Sequence, residues 1–238
     1  MKSYLRFLSR NKLYTAIEVV GLSVALAFVL IIGSYVWQEY SISRENPDYE
    51  RIYIPTQSMP YGIFEPMKEQ IPEIEKITLV NSFDDVVMEC DDERLVTRGL
   101  AVRGDFFDIF DYEFLIGDAG CLESYTDIVI SESYAAKLAG KPELAVGMKI
   151  VPVDYPSQAY TVTGVIKDFD QNYWKYMDFI CKGESPLNDS AQKNPIFTLS
   201  ATAFIKVAES AYVDALGGKI QDIFRQLWGK EMKAAMID

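Results

Sequence analysis

The longest apolar run in the chain lies close to its start. From Val19 to Trp37 the sequence reads VVGLSVALAFVLIIGSYVW, nineteen residues without a charge. As a helix rising about 1.5 Å per residue it would extend roughly 28 Å, the thickness of a bilayer's hydrocarbon layer. The run is apolar all round, unlike an amphipathic surface helix, which keeps one polar face. Tyr14 at one end, and Tyr35, Trp37 and Tyr40 at the other, stand where interfacial aromatic rings collect. These features predict a transmembrane helix over residues 13–38, with Val19, Gly21, Leu22 and Trp37 inside the span. A cleaved signal peptide has a shorter apolar middle and small residues at its cleavage site. The bulky exit Ser34-Tyr35-Val36-Trp37-Gln38 does not fit one.

Beyond the span the pattern shortens. Residues 39–50, EYSISRENPDYE, are polar and contain Asn46-Pro47, which predicts a linker. Strands are expected at Arg51–Gln57, Lys76–Asn81, Val86–Cys90, Arg94–Val102, Ile128–Ile130, Met148–Val153, Tyr160–Ile166 and Phe197–Val207. Short helices are expected at Tyr61–Gln70 and Asp105–Phe110, and another from a Ser131 cap to a left-handed stop at Gly140. A closing helix over Glu209–Lys230 places Val213, Leu216, Ile220, Ile223, Phe224 and Leu227 at helical spacing, with Gly217-Gly218 as a weak point or kink. Ile180–Asn194, rich in Gly, Ser, Pro, Asn and Lys, reads as a loop. Hairpin-like strands mixed with short helices do not alternate as in a doubly wound sheet. The expectation is therefore an α+β class: one N-terminal transmembrane helix, then a two-lobed mixed α/β domain over residues 51–238.

Charge gives this layout a direction. Lys2, Arg6, Arg10 and Lys12 precede the span with no acid among them, so residues 1–12 form a basic segment. Glu39, Glu45, Asp48 and Glu50 follow it. Basic flanks stay in the cytoplasm, which predicts an extracytoplasmic domain. The chain carries −12 overall. With the four N-terminal cations and Glu18 set aside, the remainder carries −15 and should repel phosphate backbones, so no nucleic-acid partner is expected. Arg6, Arg10 and Lys12 suit either an anionic lipid surface or a cytoplasmic partner.

The chemistry of common active sites is missing. The chain has no histidine, so His-based triads and the usual zinc sites cannot form. The Gly-Lys pairs at Gly140, Gly218 and Gly229 lack the glycine five positions earlier that a phosphate-cradling loop needs. The acidic run Glu89–Glu93 lacks the spaced ligands of a calcium loop and reads as a solvated turn. Asp168 and Asp170, an acid pair on paper, follow directly on a strand and read as a turn. Phe106, Phe107 and Phe110 read as core; Tyr173, Trp174 and Tyr176 read as core or as a contact surface. Cys90, Cys121 and Cys181 lie in no C-x-x-C pair and are expected unpaired and partly buried. Neither an enzyme nor a cofactor-binding protein is expected.

Taken in order, several short stretches resemble the N-terminal region of MacB/FtsX-like ABC-transporter permeases, in the version common among Bacteroidetes. They are Arg6-Phe7-Leu8-Ser9-Arg10-Asn11-Lys12 leading to Gly21-Leu22-Ser23, then Tyr49-Glu50-Arg51-Ile52-Tyr53 and Ile71-Pro72-Glu73-Ile74-Glu75. Gly104 to Phe110 (GDFFDIF), Phe114 to Asp118 (FLIGD), Ile128 to Ser133 (IVISES) and Tyr160 to Asp168 (YTVTGVIKD) continue the likeness. Glu18 and Asp170 depart from it, standing where Asn and Pro are expected. The resemblance implies a MacB-like periplasmic core domain, location in a bacterial inner membrane, and a non-catalytic subunit driven by a cytoplasmic ABC ATPase. It also implies further membrane spans or a second permease copy as partners, since a family permease has three more spans after this domain. On that reading the chain is an N-terminal half or fragment. The alternative is a single-pass periplasmic sensor or adaptor that binds a ligand or protein without an ATPase.

Overall fold

A computed structural model of the chain describes residues 11–41, 46, 48–91, 93–168, 174, 176–183, 200–208 and 213–235. In chain order the elements are α1 (Lys12–Ser41), β1 (Ile52–Tyr53), β2 (Met59–Pro60), α2 (Phe64–Gln70), β3 (Ile74–Cys90), β4 (Glu93–Gly104), α3 (Phe106–Ile109) and β5 (Phe114–Ile116). Then come β6 (Asp127–Ser131), α4 (Glu132–Ala139), α5 (Pro142–Ala145), β7 (Lys149–Pro152), β8 (Tyr160–Ile166), β9 (Phe179–Lys182), β10 (Ser200–Val207) and α6 (Val213–Ala235). Helix α1 belongs to one compact unit, and Asn46 onward, apart from residues 171–173, to another.

Helix α1 is a single thirty-residue helix. Its large apolar side chains are exposed along its length, from Leu13 and Leu22 to Val36 and Trp37. A stretch from Lys12 to Gln38 is long and apolar enough to cross a membrane. Its two serine hydroxyls turn back onto the helix: Ser23 donates to the Val19 carbonyl at 2.7 Å and Ser34 to that of Ile31 at 2.8 Å. Each serine hydroxyl thus has a local acceptor, as a hydrocarbon environment requires.

The second unit is organised by the β3–β4 hairpin, which runs the length of one sheet. Strand order is β1-β10-β3-β4-β9-β6-β8-β5, with β2 on β10 and β7 bridging β3 and β8. That bridge has a consequence. The far end of β3 pairs with β7 at Met88↔Pro152, and β7 pairs with β8 at Ile150↔Tyr160. Pairing then continues β8–β6–β9–β4 and back to β3, so six strands close a ring. The two expected lobes are the two halves of this sheet: an open half around β1, β10 and the near end of β3, and a closed half around β6, β8 and β9.

Three packed clusters fill the fold. Alternation along each strand separates the faces. On the open half, Ile77, Leu79, Ala203 and Ile205 lie beneath α2 and α6, against Phe64, Met67, Leu216 and Ile223. Within the ring, Ala101, Ile128, Ile150, Val162, Phe179 and Cys181 pack with Tyr134 and Ala135 of α4. On the other face, Val80, Leu100, Val102 and Phe204 carry the aromatic group Phe106, Phe110, Tyr112 and Trp174. Phe110 meets Trp174 edge-on at 4.8 Å and Phe204 at 5.2 Å, a geometry that adds to simple burial. The 106–110 phenylalanines and Trp174 are thus core.

Local signals mostly settle where the sequence places them. Ser131 caps α4 by accepting from the Tyr134 N–H at 3.2 Å, and Gly140 ends it with φ 75°. The departures have physical reasons. Residues 76–81 and 86–90 join into one seventeen-residue strand, because Asp85 takes a positive φ of 56° and a bulge absorbs the polar Asp84-Asp85 pair. The strand expected over 51–57 shrinks to two residues. Phe179–Lys182 is a buried strand between β4 and β6, although Ile180–Asn194 reads as loop; only four residues are used, too few for a periodic signal. Helix α6 runs through Gly217-Gly218 unbroken, since Leu216, Ile220 and Ile223 hold it to the sheet on both sides of them. Residues 209–212 of the expected closing helix lie outside the described residues.

Two glycines should respond in opposite ways. A Cβ on Gly104, at φ 88°, would lie 2.5 Å from the Ile77 carbonyl oxygen, so Gly104→Ala should cost about 1–3 kcal/mol. Gly218→Ala meets nothing within 4 Å in a helix and should stabilise by up to about 1 kcal/mol. Denaturant midpoints of the two variants test the pair.

Candidate functional site

The best-defined polar structure in the domain is where the chain arrives five residues after α1. Asn46 opens a tight turn: its side-chain oxygen accepts from the Asp48 N–H at 2.9 Å, and its Nδ2 donates to the Ile109 carbonyl at 2.7 Å. Asp48 is the hub. One carboxylate oxygen accepts from Arg51 at 2.8 Å, and the other from Lys206 of β10 at 2.5 Å. Arg51 also reaches Glu75 of β3 at 3.3 Å. The side chains of Lys206 and Arg51 are 15% and 22% exposed and those of Asp48 and Glu75 32% and 41%, so this network is partly shielded from solvent. Lys206 first, and Arg51 after it, hold the Asp48 carboxyl below its ordinary range despite partial burial. Immediately afterward Ile52 and Tyr53 pair with Lys206 and Ile205, turning the incoming segment into the sheet's edge strand. Residues 39–50, polar enough to read as a linker, are thus helical up to Ser41 and fastened from Asn46.

Helix α6 is fastened to the same end of the sheet. Lys219 pairs with Glu73, just before β3, and with Glu73's own backbone N–H it lowers that carboxyl's pKa. Glu73's carbonyl accepts from the Ala208 N–H, just past β10, at 3.0 Å. Lys206 lies opposite Lys76 in the β10–β3 register, and Lys76 pairs with Asp108 at 2.7 Å, which raises the lysine's pKa. Lys206 and Lys76 share one face. Ile205 and Ile77 point to the other, under α6.

The residues singled out from sequence fall as follows. Val19, Gly21, Leu22 and Trp37 all lie on α1, where the three large side chains are exposed and a Cβ on Gly21 would meet nothing within 4 Å. Lys12 is the first residue of α1; Arg6 and Arg10 lie outside the described residues, as do Asp170 and Tyr173. Asp168 lies on a cleft of about 420 Å³ with Arg98, Ser133, Lys137, Tyr176 and Asp178. Its carboxylate accepts from the Ser133 N–H at 3.0 Å, covering a second unpaired donor at the start of α4. Asp178 likewise accepts from the Arg98 N–H at 2.9 Å. Both acids hold backbone in place. Among the described residues no three His, Cys, Asp or Glu side chains come together as metal ligands.

The three cysteines are free thiols. Cys181, buried in the ring, has its pKa pushed up to about 11 by burial, and burial with nearby Asp91 and Glu93 also raises that of Cys90. Sequence reasoning missed the Asp48–Lys206 pair altogether. The two residues are 158 positions apart. Asp48 stood out only as one of the acids that follow the span, and nothing marked Lys206 as its partner.

The family model for the MacB-like periplasmic core domain matches residues 15–223. The chain therefore belongs to the MacB-like periplasmic core domain family, a component of ABC-transporter permeases. Its fold is similar to a domain assigned to a permease of Porphyromonas gingivalis, with TM-score 0.65 and 20% identity over 76% of this chain and 85% of that one. It is also similar to the periplasmic region of MacB from Actinobacillus actinomycetemcomitans, with TM-score 0.53 and 14% identity over 76% of this chain and 84% of that one. A third similar structure is the extracellular domain of the noncanonic ABC-type transporter YknZ from Gram-positive bacteria, with TM-score 0.50 and 12% identity over 68% and 80% of the two chains. No curated protein sequence matches the chain.

The Asp48 network has a pH signature. A carboxyl whose folded pKa lies below its unfolded value contributes stability that is present above the unfolded value, about pH 4, and is lost as pH falls through the folded one. Asp48→Asn should therefore lower the unfolding midpoint at pH 7 and flatten its decline between about pH 5 and 2. Lys206→Met should cost about 1 kcal/mol at pH 7, since Asp48 loses one cation but keeps Arg51 and partial access to water. Thermal melts across pH check both.

Proposed function

We propose that the chain is a non-catalytic permease subunit of a MacB/FtsX-like ABC transporter, passing motion between a cytoplasmic ATPase and a periplasmic domain. In this reading residues 1–12 face the cytoplasm, 13–38 cross the inner membrane, 39–50 link, and 51–238 form the periplasmic domain. The observation that carries it is the family match from residue 15 to 223, which takes in most of the apolar helix as well as the folded domain. Electrostatics agree: four cations and no acid in the segment before the helix suit the cytoplasmic side. The incoming segment gives the idea a mechanical basis. A chain ending in a loose tether would not transmit displacement, whereas Asn46–Arg51 is fixed to β10 and β3 by charge-assisted hydrogen bonds.

Arg6, Arg10 and Lys12 are assigned to the lipid surface or to the ATPase, and further membrane spans or a second permease copy complete the transport path. Tagged full-length chain purified from its native membranes should carry with it a protein bearing a Walker A motif. Arg6→Glu combined with Arg10→Glu should reduce that recovery several-fold if the basic segment touches the ATPase. Recovery of no such ATPase, together with saturable binding of a ligand by the chain alone, would refute the transporter reading in favour of a single-pass sensor or adaptor.

A further inference from the structure

Two fastenings at one end of the sheet share the same two short stretches of backbone. On the β3 side, Glu75 holds Arg51 of the incoming segment, and Glu73, two residues earlier, holds Lys219 of α6. On the β10 side, Lys206 holds Asp48, and Ala208, two residues later, donates to the carbonyl of Glu73. The β10–β3 ladder is irregular between these points: its register shifts between Lys206 and Val207. A bulge leaves a ladder less completely paired, so the shape of this corner depends more on side-chain fastenings than a regular ladder would. The incoming segment attaches on the face of Lys206 and Lys76, while α6 covers the face of Ile205 and Ile77. The corner is clasped from both faces.

We propose that Glu73, Glu75 and Lys206 form one joint coupling the segment that arrives from α1 to helix α6, so that loosening either fastening loosens the other. The warrant is geometric. Asp48 holds Lys206 and Arg51 holds Glu75, while Lys219 holds Glu73, whose carbonyl is tied to Ala208, so both fastenings bear on residues 73–75 and 206–208. A shift of Glu73–Glu75 relative to Lys206–Ala208 therefore cannot release one fastening and leave the other unstrained. Charge pairs anchored two residues apart on the same backbone are expected to be energetically non-additive, unlike distant sites. The inference deepens the coupling reading by naming its residues, yet its test needs no ATPase and stands or falls separately.

The test is hydrogen exchange on the full chain in lipid nanodiscs. Lys219 is half-exposed, so Lys219→Met should not disturb the core. The variant should speed exchange at Ile52 and Tyr53 about fivefold, the size of a modest coupling between sites, while β6 and β8 stay unchanged. Reciprocally, Asp48→Asn should speed exchange in the first turns of α6. The charge swap Glu73→Lys with Lys219→Glu should restore slow exchange at Ile52 and Tyr53, which a merely structural loss would not allow. Acceleration confined to the mutated element, acceleration throughout the domain, or failure of the swap to rescue would each overturn the joint.

Discussion

Strand β3 is the constraint on which the domain depends. Its seventeen residues pair with β10 and β4 at one end and with β4 and β7 at the other. The open half and the closed ring are therefore not two domains joined by a hinge but two coverings of one strand. A change at Glu73 lies on the same backbone as Met88 in the ring's core. Two short stretches of the strand are held on both sides, Thr78–Val80 by β10 and β4 and Met88–Glu89 by β4 and β7, and the residues between them pair with β4. The bulge at Asp84 and Asp85 falls where the strand changes from serving one half to serving the other, and a second register shift lies near its start, against Lys206 and Val207.

Local chemistry made part of this visible in advance. Nineteen uncharged residues, a Ser131 cap and a Gly140 stop each carry their physics in a few neighbouring positions. The ring did not, because its closure depends on β7, four residues long, meeting β3 some sixty positions earlier in the chain. Strand β9 stayed hidden for a similar reason: FICK is too short to show a period, and the Gly- and Ser-rich residues after it pull the reading toward loop. Asp168 reads from its neighbours as a strand-end turn, and only the position of Ser133 reveals that its carboxylate also covers a helix donor.

The incoming segment was the largest omission. Polar composition around Asn46-Pro47 predicts a linker, and composition cannot distinguish polar residues that face water from polar residues that face each other. Asp48, Arg51, Glu75 and Lys206 are drawn from three separate parts of the chain. Once together they satisfy one another, which makes charges acceptable at a partly buried corner that would otherwise favour apolar side chains. The family match supplies a context in which such a corner matters, since it covers both the apolar helix and the domain that the helix leads into.

All of this assumes that the folded domain stands on the far side of the membrane from the basic N-terminus. The direct measurement is labelling of Leu144→Cys, an exposed side chain on α5, with a membrane-impermeant maleimide in intact spheroplasts. The account predicts full labelling before lysis and no increase after it. Labelling that appears only once the spheroplasts are broken would place the domain in the cytoplasm and contradict the account.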